Sequence, residues 1–279
     1  TSPTSPGTKR PLSSKESLLH EEISNCREHN WNRDTLEIQR KGFNPCLVLG
    51  MGIASTHSFL KRFDVKRKTW GNFCTAIGNG YKESNPYHNA CHGADVMNSV
   101  HYILDYAGLR RSRGITFTGL SSAEFFGALL GALIHDFKHP GVNTTHIKRT
   151  RHPLNLLYLD DSPLERMHIA EAYMMCANSE NDKNVNIFAN MTTTDYVNVR
   201  KTVITLVLAT DLAHHFGFVE NLKLTTTDHS TGIRNDSEKR KYVDMQLSLG
   251  ARNVDNMTAM KIAIKLSDIG KRVTYLIFV

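Results

Sequence analysis

The stretch that most constrains this chain is Phe125 to Ile134, ten strongly apolar residues that run directly into His135-Asp136. A membrane-spanning helix needs about 20 such residues, so the stretch reads as a buried core helix. Ser121 or Ser122 can cap it, Glu124 falls in its first turn, and Pro140-Gly141 marks its stop. Helical periodicity dominates elsewhere too. Val96, Val100, Ile103 and Leu104 sit at i, i+4, i+7 and i+8, with Asp95 and Asp105 off the stripe. Arg200 to Phe216 and Met257 to Asp268 read as two further helices. Thr202 to Leu208 is β-branched enough for a strand, but its continuation into Ala209-Thr210-Asp211 favours helix. Alternating strand-length runs are scarce, so the expected fold is all-α. Polar loops are expected near Arg110 to Thr118, Ala177 to Asn186 and Thr225 to Asn235.

With 279 residues, 40% of them hydrophobic and 22% charged, the chain can bury a sizeable core. That composition excludes a disordered, collagenous or disulfide-scaffold protein. Thr1 to Ser14 holds three prolines, one glycine and seven Ser or Thr, so residues 1–16 read as a linker or tail and 17–279 as one globular unit. The start of the chain carries no apolar signal segment. The net charge of +7 is spread over short basic clusters at Lys66 to Lys68, Lys148 to Arg151 and Lys239 to Lys241. These read as solvated surface, with no nucleic-acid partner and no membrane segment expected. Five cysteines without a CxxC pair fit free thiols in a reducing cytoplasm. There is no Walker loop and no Gly-x-Ser-x-Gly elbow. Gly50-Met51-Gly52 lacks the third glycine of a dinucleotide turn.

Histidine carries the chemical signal. Eight of the 14 lie between His88 and His168, where an even spread would put about four. His88 and His92 are four apart, as are His135 and His139, a spacing that would put each pair on one helix face and suits a metal. An isolated pair arises easily by chance, and a lone buried histidine is more often a core residue. The clusters around the two pairs are more specific. His135-Asp136 offers adjacent nitrogen and oxygen donors at the end of a rigid apolar helix, and its carboxylate can bridge two cations. With His92 and a later Asp it could complete a two-metal hydrolytic centre. Asp268, closing the run from Ala263, is the best candidate.

The segment from Tyr87-His88-Asn89-Ala90-Cys91-His92 to Asp95-Val96, followed by His135-Asp136-Phe137-Lys138-His139-Pro140-Gly141-Val142-Asn143, resembles the catalytic domain of class I 3′,5′-cyclic nucleotide phosphodiesterases. These belong to the wider His-Asp metal-dependent phosphohydrolases. Leu157-Tyr158, Ser162 to Glu165, His168 to Ala170, and Leu208 to Leu212 with His215 resemble further family segments in the same order. The resemblance implies a compact multi-helix bundle with a two-metal site. It implies His92, His135, Asp136 and Asp268 as ligands of a zinc ion, with Asp136 also reaching a second ion, magnesium or manganese. His139, Glu165 and Thr210 would hold the second ion's waters. His88 would be the general acid and Tyr87 would flank the phosphate, while Asn143 would fix a loop. The implied reaction is hydrolysis of cAMP or cGMP to the 5′-monophosphate, with a metal-bridging hydroxide as nucleophile.

Three positions depart from the family pattern. Arg166-Met167-His168 stands where Asn-His-His is usual, Leu159 replaces an Asn, and Ile269-Gly270 follows Asp268 in place of Asn-Pro. The helices that carry the family's purine-binding glutamine and aromatic clamp have no counterpart in the residues after Asp268. The bundle is therefore expected to be C-terminally incomplete, with weak or absent hydrolysis by residues 1–279 alone. The alternatives are a truncated, non-catalytic metal- or partner-binding module, or another His-Asp nucleotide phosphohydrolase.

Overall fold

The central apolar run becomes helix α7 (Ser122–Ile134) in the computed structural model, which describes residues 13–106, 119–178, 184–220 and 255–270. Every residue from Phe125 to Ile134 is buried, as a helix that is apolar all round requires. Its start is a capping box. The Glu124 N–H donates to Ser121 Oγ at 3.2 Å, and the Ser121 N–H donates to the Glu124 carboxylate at 2.8 Å. The helix does not continue to Pro140-Gly141. It closes at His135, because the Phe137 and His139 N–H groups turn back to the Ile134 and Asp136 carbonyls and Lys138 takes a φ of 59°.

The other helices are α1 (Ser14–Asn25), α2 (Thr35–Arg40), α3 (Pro45–Thr56), α4 (Phe59–Arg62), α5 (Arg67–Gly80), α6 (Ala90–His101), α8 (Thr144–Arg149), α9 (Pro153–Leu157), α10 (Pro163–Ala177), α11 (Thr193–Thr210) and α12 (Asn256–Gly270). Among the described residues there is no strand, and the fold is all-α. Helix α7 packs between α6 and α11, α12 leans on both of those, and α3 and α5 close the far side of α6. Gly127 lets α7 approach α11 closely, since a Cβ there would stand 2.8 Å from the Thr202 Cβ. Phe59, Phe63, Trp70 and Phe126 form an aromatic cluster at the base of the core.

Thr202 to Leu208 is helical within α11, as its continuation implied. The helix expected over Arg200 to Phe216 is in fact two. The chain breaks at Asp211, whose Oδ1 accepts from the Ala213 N–H at 2.8 Å, and Leu212–Glu220 leaves at 79° to α11. No single described helix is long and apolar enough to cross a membrane. All five cysteines are free and buried.

Residues 1–12 of the expected tail lie outside the described residues, and Ser13 caps α1. The loops expected at Arg110 to Thr118 and Thr225 to Asn235, and the Lys239 to Lys241 cluster, also lie outside them. The Ala177 to Asn186 loop lies partly outside.

Candidate metal centre

Three helix ends meet on one side of α7. Asn89 caps α6 by accepting the Cys91 and His92 N–H groups at 3.0 and 3.2 Å, which sets His92 in the first turn. His135 caps the C-terminus of α7, followed by Asp136, and Asp268 lies in the last turn of α12. Their donor atoms converge. His92 Nε2 is 3.2 Å from His135 Nε2, 3.4 Å from Asp136 Oδ2 and 3.2 Å from Asp268 Oδ1. His135 Nε2 is 3.2 Å from Asp136 Oδ2 and 3.6 Å from Asp268 Oδ1. Zinc bonds of about 2.0–2.2 Å in a tetrahedron place ligand atoms about 3.3–3.6 Å apart, so these separations are those of a tetrahedral edge.

The surroundings fit a cation. His135 donates Nδ1–H to the Ala132 carbonyl at 2.8 Å, which leaves Nε2 as the lone-pair donor. Burial alone pulls the His92 and His135 imidazoles down, but Asp136 and Asp268 outweigh it and hold both above their ordinary range. Burial likewise pushes Asp136 and Asp268 up, and the two imidazoles outweigh it and hold both carboxyls low. A divalent ion placed among the four donors would take over the role that protons play there in the bare protein.

Beside this cluster lies a cavity of about 450 Å³ lined by His88, Asp136, His139, Glu165, Thr210 and Asp268 among others. Neither histidine pair shares a helix face, contrary to the i, i+4 expectation: His88 precedes the α6 cap and His139 lies past the end of α7. Two loops bring them together instead, with the His88 and His139 rings stacked at 3.9 Å between centroids. His88 Nε2 stands 4.0 Å from Asp136 Oδ2. Burial lowers the His88 imidazole against the pull of Asp136, and brings His139 down to about 3. His139 Nδ1 accepts from the Gly141 N–H at 3.0 Å, so its Nε2 carries the proton. Burial lifts the Glu165 carboxyl to about 7, and its Oε2 is buried without a hydrogen-bond partner among the described residues. Such an oxygen suits a water of a second ion's shell. Thr210 donates its hydroxyl to the Val207 carbonyl at 2.8 Å, leaving the oxygen's lone pairs.

Tyr87 lies over His92 with ring centroids 4.3 Å apart, and its hydroxyl donates to the Asp268 carbonyl at 2.9 Å. Asn143 caps α8 through the His146 N–H at 2.9 Å, a loop-fixing position. Leu159, at a usual Asn position, has φ 52° and is 83% exposed. Asn tolerates that left-handed backbone and Leu does not, so this departure adds local strain.

Of two further contributors, Asn85 has no signal in the sequence, and His168 is marked there only as part of a family-like segment. Asn85 Nδ2 donates to the carbonyls of both His88 and His139, at 3.1 and 3.0 Å, and so ties the two histidine loops together. His168 donates Nδ1–H to the Phe137 carbonyl at 2.6 Å and turns Nε2 toward Asp136 Oδ1 at 3.7 Å. Burial holds His168 neutral, at about 4.

Phe137 is the packing anchor for Asp136, and Gly80 makes room for it. A Cβ on Gly80 would stand 2.2 Å from the Phe137 ring edge. Gly80→Ala is expected to cost about 1–3 kcal/mol through overpacking and to weaken metal binding by displacing Asp136. Denaturant midpoint and zinc affinity, measured together, check this.

The comparisons agree in kind. Residues 87–276, more than half of the chain, match the model of the 3′5′-cyclic nucleotide phosphodiesterase family. The chain is 34% identical over 180 residues (64% of its length) to 3′,5′-cyclic-AMP phosphodiesterase 4 of Dictyostelium discoideum, covering 16% of that protein. It is 36% identical over 177 residues (63% of its length) to probable 3′,5′-cyclic phosphodiesterase pde-1 of Caenorhabditis elegans, covering 25%. It is 28% identical over 244 residues (87% of its length) to the human high affinity cAMP-specific and IBMX-insensitive 3′,5′-cyclic phosphodiesterase 8A, covering 28%. The chain thus spans less than a third of the length of each of these relatives. With the matched segment holding every residue of the converging site, this chain belongs to the 3′,5′-cyclic nucleotide phosphodiesterase family.

Proposed function

We propose that this chain is the metal-bearing part of an enzyme that hydrolyses cAMP or cGMP to the 5′-monophosphate. The observation that carries the reading is the convergence of His92, His135, Asp136 and Asp268 at tetrahedral separations beside an open, polar-lined cavity. Two imidazoles and two carboxylates are a donor set that suits zinc. A second ion would find Asp136 as its protein ligand beside a polar cavity, a setting that would suit magnesium or manganese.

Bound divalent ions would supply Lewis acidity toward the phosphoryl oxygens and a nucleophilic water at neutral pH. The protein's own groups have separable tasks. Asp136 would be the carboxylate shared by the two ions. His139, Glu165 and Thr210 orient water on the cavity side. Tyr87 flanks the phosphate with its ring and steadies Asp268 through its hydroxyl. His88 hands a proton to the departing 3′ oxygen. Burial holds its imidazole below the ordinary range in the bare protein, and the anionic phosphate of a bound diester favours its charged form.

The test is turnover. The 279-residue chain, and a longer chain that continues past Val279, are assayed for release of 5′-AMP and 5′-GMP from the cyclic substrates. Hydrolysis that a chelator abolishes and added zinc with magnesium restores is the expected result. Hydrolysis that survives complete metal removal, or none from either chain with metal bound, overturns the reading.

A further inference from the structure

A second group of ligating side chains lies at the opposite end of α6. His29 comes from the segment after α1, His57 from the C-cap of α3, His101 from the last residue of α6, and Asp105 from the π-helical turn Tyr102–Tyr106 that follows. His57 Nε2 is 2.7 Å from His101 Nε2, and His29 Nε2 is 2.7 Å from Asp105 Oδ2. Asp105 Oδ2 is also 3.8 Å from His57 Nε2 and 3.9 Å from His101 Nε2. The His57 and His101 side chains are 4% and 3% exposed.

We propose that His29, His57, His101 and Asp105 form a closed structural site for a zinc-class divalent ion, separate from the centre at the other end of α6. Nine residues of helix, about 13 Å of rise, separate His92 from His101, so one ion cannot serve both clusters. All three imidazoles present the same atom, Nε2, toward one carboxylate oxygen. Four protein donors with no open position is the composition of a structural rather than a catalytic site. Forming the site would part the hydrogen-bonded His57 and His101 nitrogens from 2.7 Å and turn the His29 ring, which stacks on His101 at 4.8 Å between centroids, so that each Nε2 faces the ion.

Two further features agree. The helix widens into a π-turn directly after His101, which brings Asp105 back beside it, and such turns concentrate at functional positions. The rings of Phe59 and Phe125 wall the His57 side of the cluster, with centroids 6.3 and 4.9 Å from His57, while His29 and Asp105 on the other side are 30% and 19% exposed. At 2.7 Å one of the facing His57 and His101 nitrogens must carry the proton between them. Ion binding would release that proton to solvent. The consequence is a staple. His29 and His57 lie before the family-matched residues 87–276, and His101 and Asp105 lie within them. The ion would pin the N-terminal helices to α6.

The experiment uses the whole 279-residue chain, stripped of metal and titrated with Zn2+ against a chromophoric chelator. Metal content is counted after dialysis, and far-UV circular dichroism checks folding. His29→Gln and Asp105→Asn alter the two more exposed donors, so the fold is kept. Each is expected to bind one equivalent less than the unaltered chain, with zinc affinity at that site down about 100-fold or more. Each should also lose the rise in melting temperature that zinc gives. Asp136→Asn, which impairs the other centre, should retain this equivalent. If His29→Gln and Asp105→Asn bind as much zinc, as tightly, as the unaltered chain, the cluster is a hydrogen-bonded network and the proposal fails. Cyclic nucleotide turnover does not enter the readout, so failure of the catalytic reading leaves this result standing.

Discussion

Asp136→Asn is expected to lower cyclic nucleotide turnover by about 10³-fold or more, because a bridging metal carboxylate supplies several kcal/mol of charge stabilisation. The substitution keeps the shape of the side chain and removes its charge. Asp136 Oδ2 lies within 3.4 Å of both His92 Nε2 and His135 Nε2, so those two imidazoles would lose their shared counter-charge. The metal-free variant should be less stable, because two buried imidazoles have lost a carboxylate partner. Zinc content, chemical denaturation and turnover measured on one preparation separate these effects. A variant that kept full zinc content and full turnover would remove Asp136 from the centre.

His88→Ala is expected to cut turnover by about 10²–10⁴-fold, the usual range of general acid catalysis, while zinc content stays near that of the unaltered chain. The geometry explains the separation. His88 is 4.0 Å from Asp136 on the cavity side and is stacked on His139, away from the four converging donors. The loss should be smaller for an analogue whose 3′ leaving group needs no protonation. The alkaline limb of the pH profile should also change, because the group whose protonation is required has been removed. Loss of one zinc equivalent in His88→Ala would make the residue a ligand. His88, Asp136 and His139 stand close enough together that this outcome is a real alternative.

The chemistry of the centre was legible in the sequence because ligand identity is a local property. A carboxylate directly after a histidine, at the end of a ten-residue apolar run, is rigid wherever that run is buried. The Ser121–Glu124 capping box announced where α7 begins for the same local reason. The i, i+4 histidine spacing drew attention to residues that do come together, but through a different geometry. A turn, with Lys138 at positive φ, replaces the last helical residues and carries His139 round to stack on His88. Turn chemistry of this kind depends on where the helix stops, and periodicity alone did not locate that stop.

From its sequence alone, then, this chain determined an all-α core around Phe125 to Ile134 and singled out four side chains whose donor atoms converge. Only the tertiary structure decided which distant segments meet. Asp268 reaches His135 because α12 leans on α6 and α11 with Met260, Ala263 and Ile264 in the core. Asn85 bridges two loops through backbone carbonyls, which every residue carries and which leave no trace in sequence. His29, His57, His101 and Asp105 come from four separate segments. No spacing rule joins them, because their proximity is a property of how helices pack and not of how residues follow one another.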